Sequence, residues 1–162
     1  MLSTDKWNEY AGGQAEQWLK GVLRARAKAD ALAEQVEQLE RDRDGIKATR
    51  YDKQGGGSCQ DPTAKMDAAV QRLEEAHEKL DKARERMADA VSDASERLAR
   101  MEDPVQMRCL NLYYVSGPRT WQAVADMMCY SLDGMNKLRR RALVSAYDVM
   151  PHTLRDPMHR AD

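Results

Sequence analysis

Two stretches of this chain place an apolar residue at alternating steps of three and four, and that heptad periodicity restricts them to long helices packed along a narrow seam. The first, from about Gln14 to Ala48, carries Val22, Ala25, Ala29, Leu32, Val36, Leu39 and Ile46, with Arg43 filling one slot. The second, from about Thr63 to Glu102, carries Met66, Val70, Leu73, His77, Leu80, Arg84, Met87, Val91, Ala94, Leu98 and Met101. Glu74, Glu75, Lys82 and Glu85 mark a solvated opposite face. Only the Gly12-Gly13 pair and Gly21 interrupt the N-terminal end. Between the stripes lies a polar stretch, about 49–62, with Gly55-Gly56-Gly57 and then Asp61-Pro62. Glycines break a helix, and proline suits the first turn of the next one. Two stripes of similar length joined by such a loop fold back most simply as an antiparallel, coiled-coil-like hairpin spanning residues 1–102.

Composition agrees with thin helical layers. The 162 residues include no Phe and only 6% aromatics, too few for a broad core, while 33% are charged. No stretch approaches the roughly 20 apolar residues needed to span a bilayer. The first residues lack the basic-then-apolar order of a signal peptide. An intracellular protein with no membrane contact is expected.

Enzyme chemistry finds little footing. The histidines are His77, His152 and His159, and no nucleophile–base pair or metal spacing accompanies them. Gly55-Gly56-Gly57 lacks the Lys-Ser/Thr of a phosphate loop and reads as a linker. Cys59, Cys109 and Cys129 match no zinc or redox pair, and an odd number argues against a secreted disulfide framework. Cys109 and Cys129 read as small core residues, and Cys59 as exposed in the loop. No catalytic residue, cofactor or metal is expected. His77 and Arg84 read either as tolerated or snorkelling seam residues, or instead as residues that fix the register of the hairpin or mark a partner surface.

Function points to the last third. Residues 1–107 carry 18 Lys+Arg against 22 Asp+Glu, whereas residues 108–162 carry 8 against 5. Asp103-Pro104 starts a new pattern, with Val105, Cys109, Leu112 and Tyr113 on one face of a short helix broken by Ser116-Gly117-Pro118. Thr120 is a good N-cap for a helix over about Trp121 to Met128. Cys129-Tyr130-Ser131 then turns the chain into a last helix, about Leu132 to Asp148, stopped by Pro151. Val124, Ala125, Met128, Tyr130, Met135 and Leu138 fall on the inward positions of a helix-turn-helix, with small Ala125 at the closest approach. Cys129 occupies the turn position where glycine is usual, and Gly134 falls early in the second helix. The outward positions hold Ser131, Leu132, Asp133, Asn136, Lys137 and Arg140. Of these, Ser131, Asp133, Asn136, Lys137 and Arg140 are candidates for base edges: Asn suits adenine, and Lys or Arg suits guanine. Arg119, Thr120, Arg139 and Arg141 are candidates for phosphates. The expected layout is all-α, with this helix-turn-helix at 103–150 and a loosely ordered tail at 151–162.

The segment from Asp103 to Tyr147 resembles the region-4 helix-turn-helix of sigma-70-like factors. The residues that carry the resemblance are Met107-Arg108-Cys109-Leu110, Leu112-Tyr113-Tyr114, Gly117, Thr120-Trp121, Val124-Ala125, Tyr130-Ser131 and the run from Leu138 through Arg139-Arg140-Arg141 to Leu143. Gln122-Ala123 stands where that family usually has Glu-Ile. With Arg50-Tyr51-Asp52 leading into the glycine-rich loop, the whole layout resembles small prophage regulators grouped with late-transcription activators of the ArpU and RinA kind. The resemblance implies a sequence-specific regulator of phage or prophage genes in the cytoplasm of a bacterial host, with double-stranded DNA as partner. Self-association through the hairpin would supply two half-sites, and RNA polymerase is a second candidate partner for the acidic hairpin. Two rivals share features of the pattern. A small terminase-like packaging protein also joins a helix-turn-helix to coiled-coil helices, and a coiled-coil interaction module would bind no DNA.

Overall fold

The computed structural model describes residues 3–52, 62–117 and 120–155. All regular structure among them is helical. Helix α1 spans Thr4–Asp52, α2 spans Pro62–Leu98 and α3 spans Pro104–Leu110. The last continues into a π-helical turn at Asn111–Val115, followed by α4 (Trp121–Met128), α5 (Leu132–Val149) and a 3-10 turn at His152–Leu154. The chain divides into two compact units, one of Met1–Arg24 with Ala88–Asp162, the other of Ala25–Met87.

In the second unit α1 and α2 pack against each other. Val36 is buried with Leu73, Ala76 and Leu80, and Leu32, Ala33 and Leu39 flank them. The expected α1 stripe is thus the inward one. On α2 the seam is Leu73, Ala76, Leu80 and Ala83, all buried, rather than the series through His77 and Arg84. Both series keep steps of three and four, so periodicity alone does not separate them. Alanine on the seam lets the helices approach while the polar heads stay in water. Arg84 is exposed. The His77 side chain is 48% exposed, with Nε2 3.6 Å from Glu40 Oε1.

In the first unit α1 begins at Thr4, not Gln14, and runs through all three N-terminal glycines. Each glycine costs a helix about 1 kcal/mol relative to alanine. Packing on α5 offsets that cost. A Cβ on Gly12 would lie 3.7 Å from Val144 Cγ2 and 3.8 Å from Leu143 Cβ, so the two backbones pass closely here. The core joins Ala15, Trp18 and Leu19 of α1 and Leu98 of α2 to Tyr114 and to Ala146 of α5. Trp7 meets the Tyr147 ring edge-on at 5.5 Å. The unit therefore reaches well beyond residues 103–150.

At the other end α1 continues to Asp52, so the backbone of Arg50-Tyr51-Asp52 is helical, not looped. The glycine triplet and Cys59 lie outside the described residues. Asp103 caps α3, its carboxylate accepting from the Val105 N–H at 2.8 Å and the Gln106 N–H at 3.3 Å. The expected loose tail is ordered at its start. Arg155 donates to the Asp148 carbonyl at 3.1 Å and lies 4.7 Å over the Tyr147 ring.

Candidate nucleic-acid interface

Helices α4 and α5 are defined by their caps. Thr120 Oγ1 accepts from the Ala123 N–H at 3.1 Å and opens α4. Cys129 closes it in the left-handed region, at φ 60° and ψ 40°. The Tyr130 N–H then donates to the Ala125 carbonyl at 2.9 Å, a bond that ties off the last turn. Ser131 Oγ accepts from the Gly134 N–H at 3.1 Å and opens α5. A Cβ on Gly134 would stand only 3.1 Å from that same oxygen and 3.6 Å from Tyr130 Cδ1. The missing side chain makes room for the cap and for the Tyr130 ring.

Beneath the turn, Val124, Ala125, Met135 and Leu138 close a core with Cys109 of α3. Cys109 Sγ lies 3.5 Å from Met135 Sδ. Burial pushes its thiol up to about 11, so it stays a neutral packing residue. Met128, also expected inward, is partly buried against this core, but two further expected members are not in it. Cys129 is exposed, and Tyr130 is 40% exposed. The left-handed residue reverses the chain sharply, and the two residues at the bend face outward.

The expected base-reading residues share one exposed surface. Ser131, Asp133, Asn136, Lys137 and Arg140 are all exposed, and positions 133, 136, 137 and 140 follow helical spacing on one side of α5. Lys137 Nζ pairs with Asp133 Oδ2 at 2.8 Å, with both side chains more than two-thirds exposed. Such a surface pair is weak and exchangeable. Arg141 is exposed as well. Arg119 lies outside the described residues, and the Thr120 hydroxyl is exposed but engaged in its cap.

Arg139 departs from the expectation that it grips phosphate. Its guanidinium donates to Glu16 Oε1 at 2.5 Å, and the two side chains are only 28% and 24% exposed. Its Cζ sits 4.7 Å over the Trp121 ring, which stacks on Tyr113 at 4.0 Å and 10°. Burial pushes the neighbouring Tyr114 phenol well above its ordinary range. Burial also acts to raise Glu16, but hydrogen bonds and charge from Lys20 and Arg139 outweigh it and hold the carboxyl low. Arg139 is thus an internal strut joining α1, α4 and α5. The sequence holds no local signal for it, because Glu16 is 123 residues away.

An open cleft runs beside this face. Asp5, Glu9 and Glu16 of α1 line one wall, and Asn136, Arg140 and Arg141 of α5 line the other. The carboxylates of the α1 wall oppose the positive charge of Arg140 and Arg141 and so weaken the attraction of that side of α5 for a polyanion. Among the described residues no three His, Cys, Asp or Glu side chains are grouped to hold a metal ion. No helix among them is long and apolar enough to cross a membrane. No protein-family model matches the chain, and neither a curated protein nor a solved structure is detectably similar to it.

Proposed function

We propose that the unit containing α3, α4 and α5 is a sequence-specific DNA-binding module of a transcriptional regulator, with α5 as the helix that enters the major groove. The observation that carries this reading is the division of α5 into two sides. One side is fixed by Met135, Leu138, Ala142 and Ala146, all nearly inaccessible. The other presents Asn136, Lys137, Arg140 and Arg141 to solvent. The 18 residues of α5 give a rod about 27 Å long, ample for a groove that admits a single helix.

Asn136 suits an adenine edge, and Lys137 and Arg140 suit guanine. Ser131 and Asp133 flank them on the first turn, where a recognition helix meets the bases. Arg141 and Thr120 border the face and suit phosphate oxygens, with α4 crossing the backbone. Arg139 acts indirectly by holding the angle of α5. One such unit makes few contacts, so pairing of two chains through the long helices would double them and set half-site spacing. By its resemblance to sigma-like prophage regulators, the proposed targets are phage or prophage promoters, with RNA polymerase as a further partner.

The test is selection from random duplex DNA at near-physiological salt, followed by binding measurements on the double variant Arg140→Ala, Arg141→Ala. A defined motif that the variant loses, with two spaced half-sites, is the expected result. No enrichment by the wild-type chain, together with no shift at low salt where electrostatic binding is strongest, refutes the proposal. A concentration-independent monomer in light scattering refutes the pairing.

A further inference from the structure

The connection between α4 and α5 exposes apolar surface that the core does not need. Met127, Tyr130 and Leu132 are 45%, 40% and 44% exposed. None of the three belongs to the core beneath them, where Val124, Ala125 and Met135 are at 0% and Leu138 at 3%. Leu132 is the first residue of α5, directly after the Ser131 cap. It stands one turn ahead of Asn136, at i and i+4 on the same side of the helix. The Tyr130 ring lies against Gly134 of that same first turn. The polar base-reading side of α5 therefore ends in an aliphatic tip backed by an aromatic ring.

In the major groove a tip of this kind has one apolar group to meet. Adenine, guanine and cytosine present hydrogen-bonding atoms there, and thymine adds its C5 methyl. A leucine offers no hydrogen bond, and placing it over a polar edge would strip that edge of water without replacing the lost bond. We propose that Leu132, flanked by Tyr130, is a specificity-determining residue that selects thymine through its methyl group. This rests on the DNA-binding reading of α5 and adds to it a contact of opposite chemistry at the leading end of the helix.

The experiment uses the duplex selected by the full-length chain. Each thymine is replaced in turn by deoxyuridine, which differs only by the absent methyl, and affinity is measured for wild type, Leu132→Ala and Leu132→Met. At one or two thymines the wild type should lose about fourfold in affinity, the equivalent of one buried methyl group. Leu132→Ala should be insensitive to the same replacement, whereas Leu132→Met, which keeps an apolar tip, should retain sensitivity. Near-UV circular dichroism of both variants establishes that they are folded. A defined motif with no deoxyuridine-sensitive position overturns the inference, as does equal sensitivity in wild type and Leu132→Ala, since another group would then read the methyl. Failure to select any motif is a different result, because it removes the DNA-binding reading itself.

Discussion

Arg139→Ala separates the internal strut from the exposed arginines. The substitution removes a 2.5 Å hydrogen bond to the Glu16 carboxylate and a cation–π contact with Trp121 at 4.7 Å. A hydrogen bond to a charged partner contributes about 1.5–3 kcal/mol, and a cation–π pair about 0.5–1 kcal/mol at a partly wet site. Two features hold the sum toward the low end. The side chains retain 28% and 24% exposure, and Glu16 keeps Lys20 at 3.2 Å after the change. The expected loss is about 2 kcal/mol, against less than about 0.5 kcal/mol for Arg140→Ala or Arg141→Ala at the surface. Urea denaturation followed by tryptophan fluorescence reads the difference directly. Glu16 is held below its ordinary value in the folded chain. Its contribution is therefore fully present above the unfolded carboxyl value of about 4.3 and lost as pH falls through the lower folded one. The gap between wild type and Arg139→Ala should accordingly close below about pH 4. An Arg139→Ala protein as stable as Arg140→Ala, or a gap unchanged from pH 7 to pH 3, would refute the strut.

Three further outcomes are expected. Cys129→Gly should raise stability by about 1 kcal/mol in the same assay, because Cys129 alone among described non-glycine residues has positive φ and a side chain there is strained. Gly13→Ala should raise the thermal midpoint by stabilising α1 by up to about 1 kcal/mol, since a Cβ there meets nothing within 4 Å, whereas Gly134→Ala should give no such gain because its Cβ crowds Ser131 Oγ at 3.1 Å. A fragment of residues 104–155 should lack near-UV dichroism and a cooperative melt, because eight of the sixteen buried residues in the main core, Ala11 to Met101, lie before it; a cooperative transition would show that those residues are dispensable.

The long helices were legible because a heptad stripe is repeated often enough to outweigh local noise. The phase of α2 was not. Ala76 and His77 are adjacent, as are Ala83 and Arg84, and either member of each pair continues the rhythm. Burial chooses alanine because a small side chain permits close approach and the longer polar ones reach water from the neighbouring position. The start of α1 was missed for a related reason. Two glycines read as a break, yet Gly12 is the residue that lets α1 pass α5 closely. The Thr120 cap is legible because it acts through a bond only three residues long, whereas the Asp103 cap of α3 is seen only in the structure. Tyr130 is expected inward as a helix-turn-helix position, yet directly after the left-handed Cys129 it is 40% exposed.

The run Arg139-Arg140-Arg141 shows why a charge cluster on a helix is not a single functional element. Successive residues point about 100° apart, so three arginines in a row must face three directions. Their directions are set by the residues that bury α5, with Leu138 at 3% and Ala142 at 0% exposure on either side of the run. Arg139 is brought by that phase over Trp121 and onto Glu16. Arg140 and Arg141 are left at the surface. A rotation of α5 by one residue would exchange these roles, placing a different arginine on Glu16 and turning Asn136 away from its present position. The strut therefore helps to set which side chains α5 presents to solvent, and under the proposed function Arg139 would influence DNA recognition without touching a base.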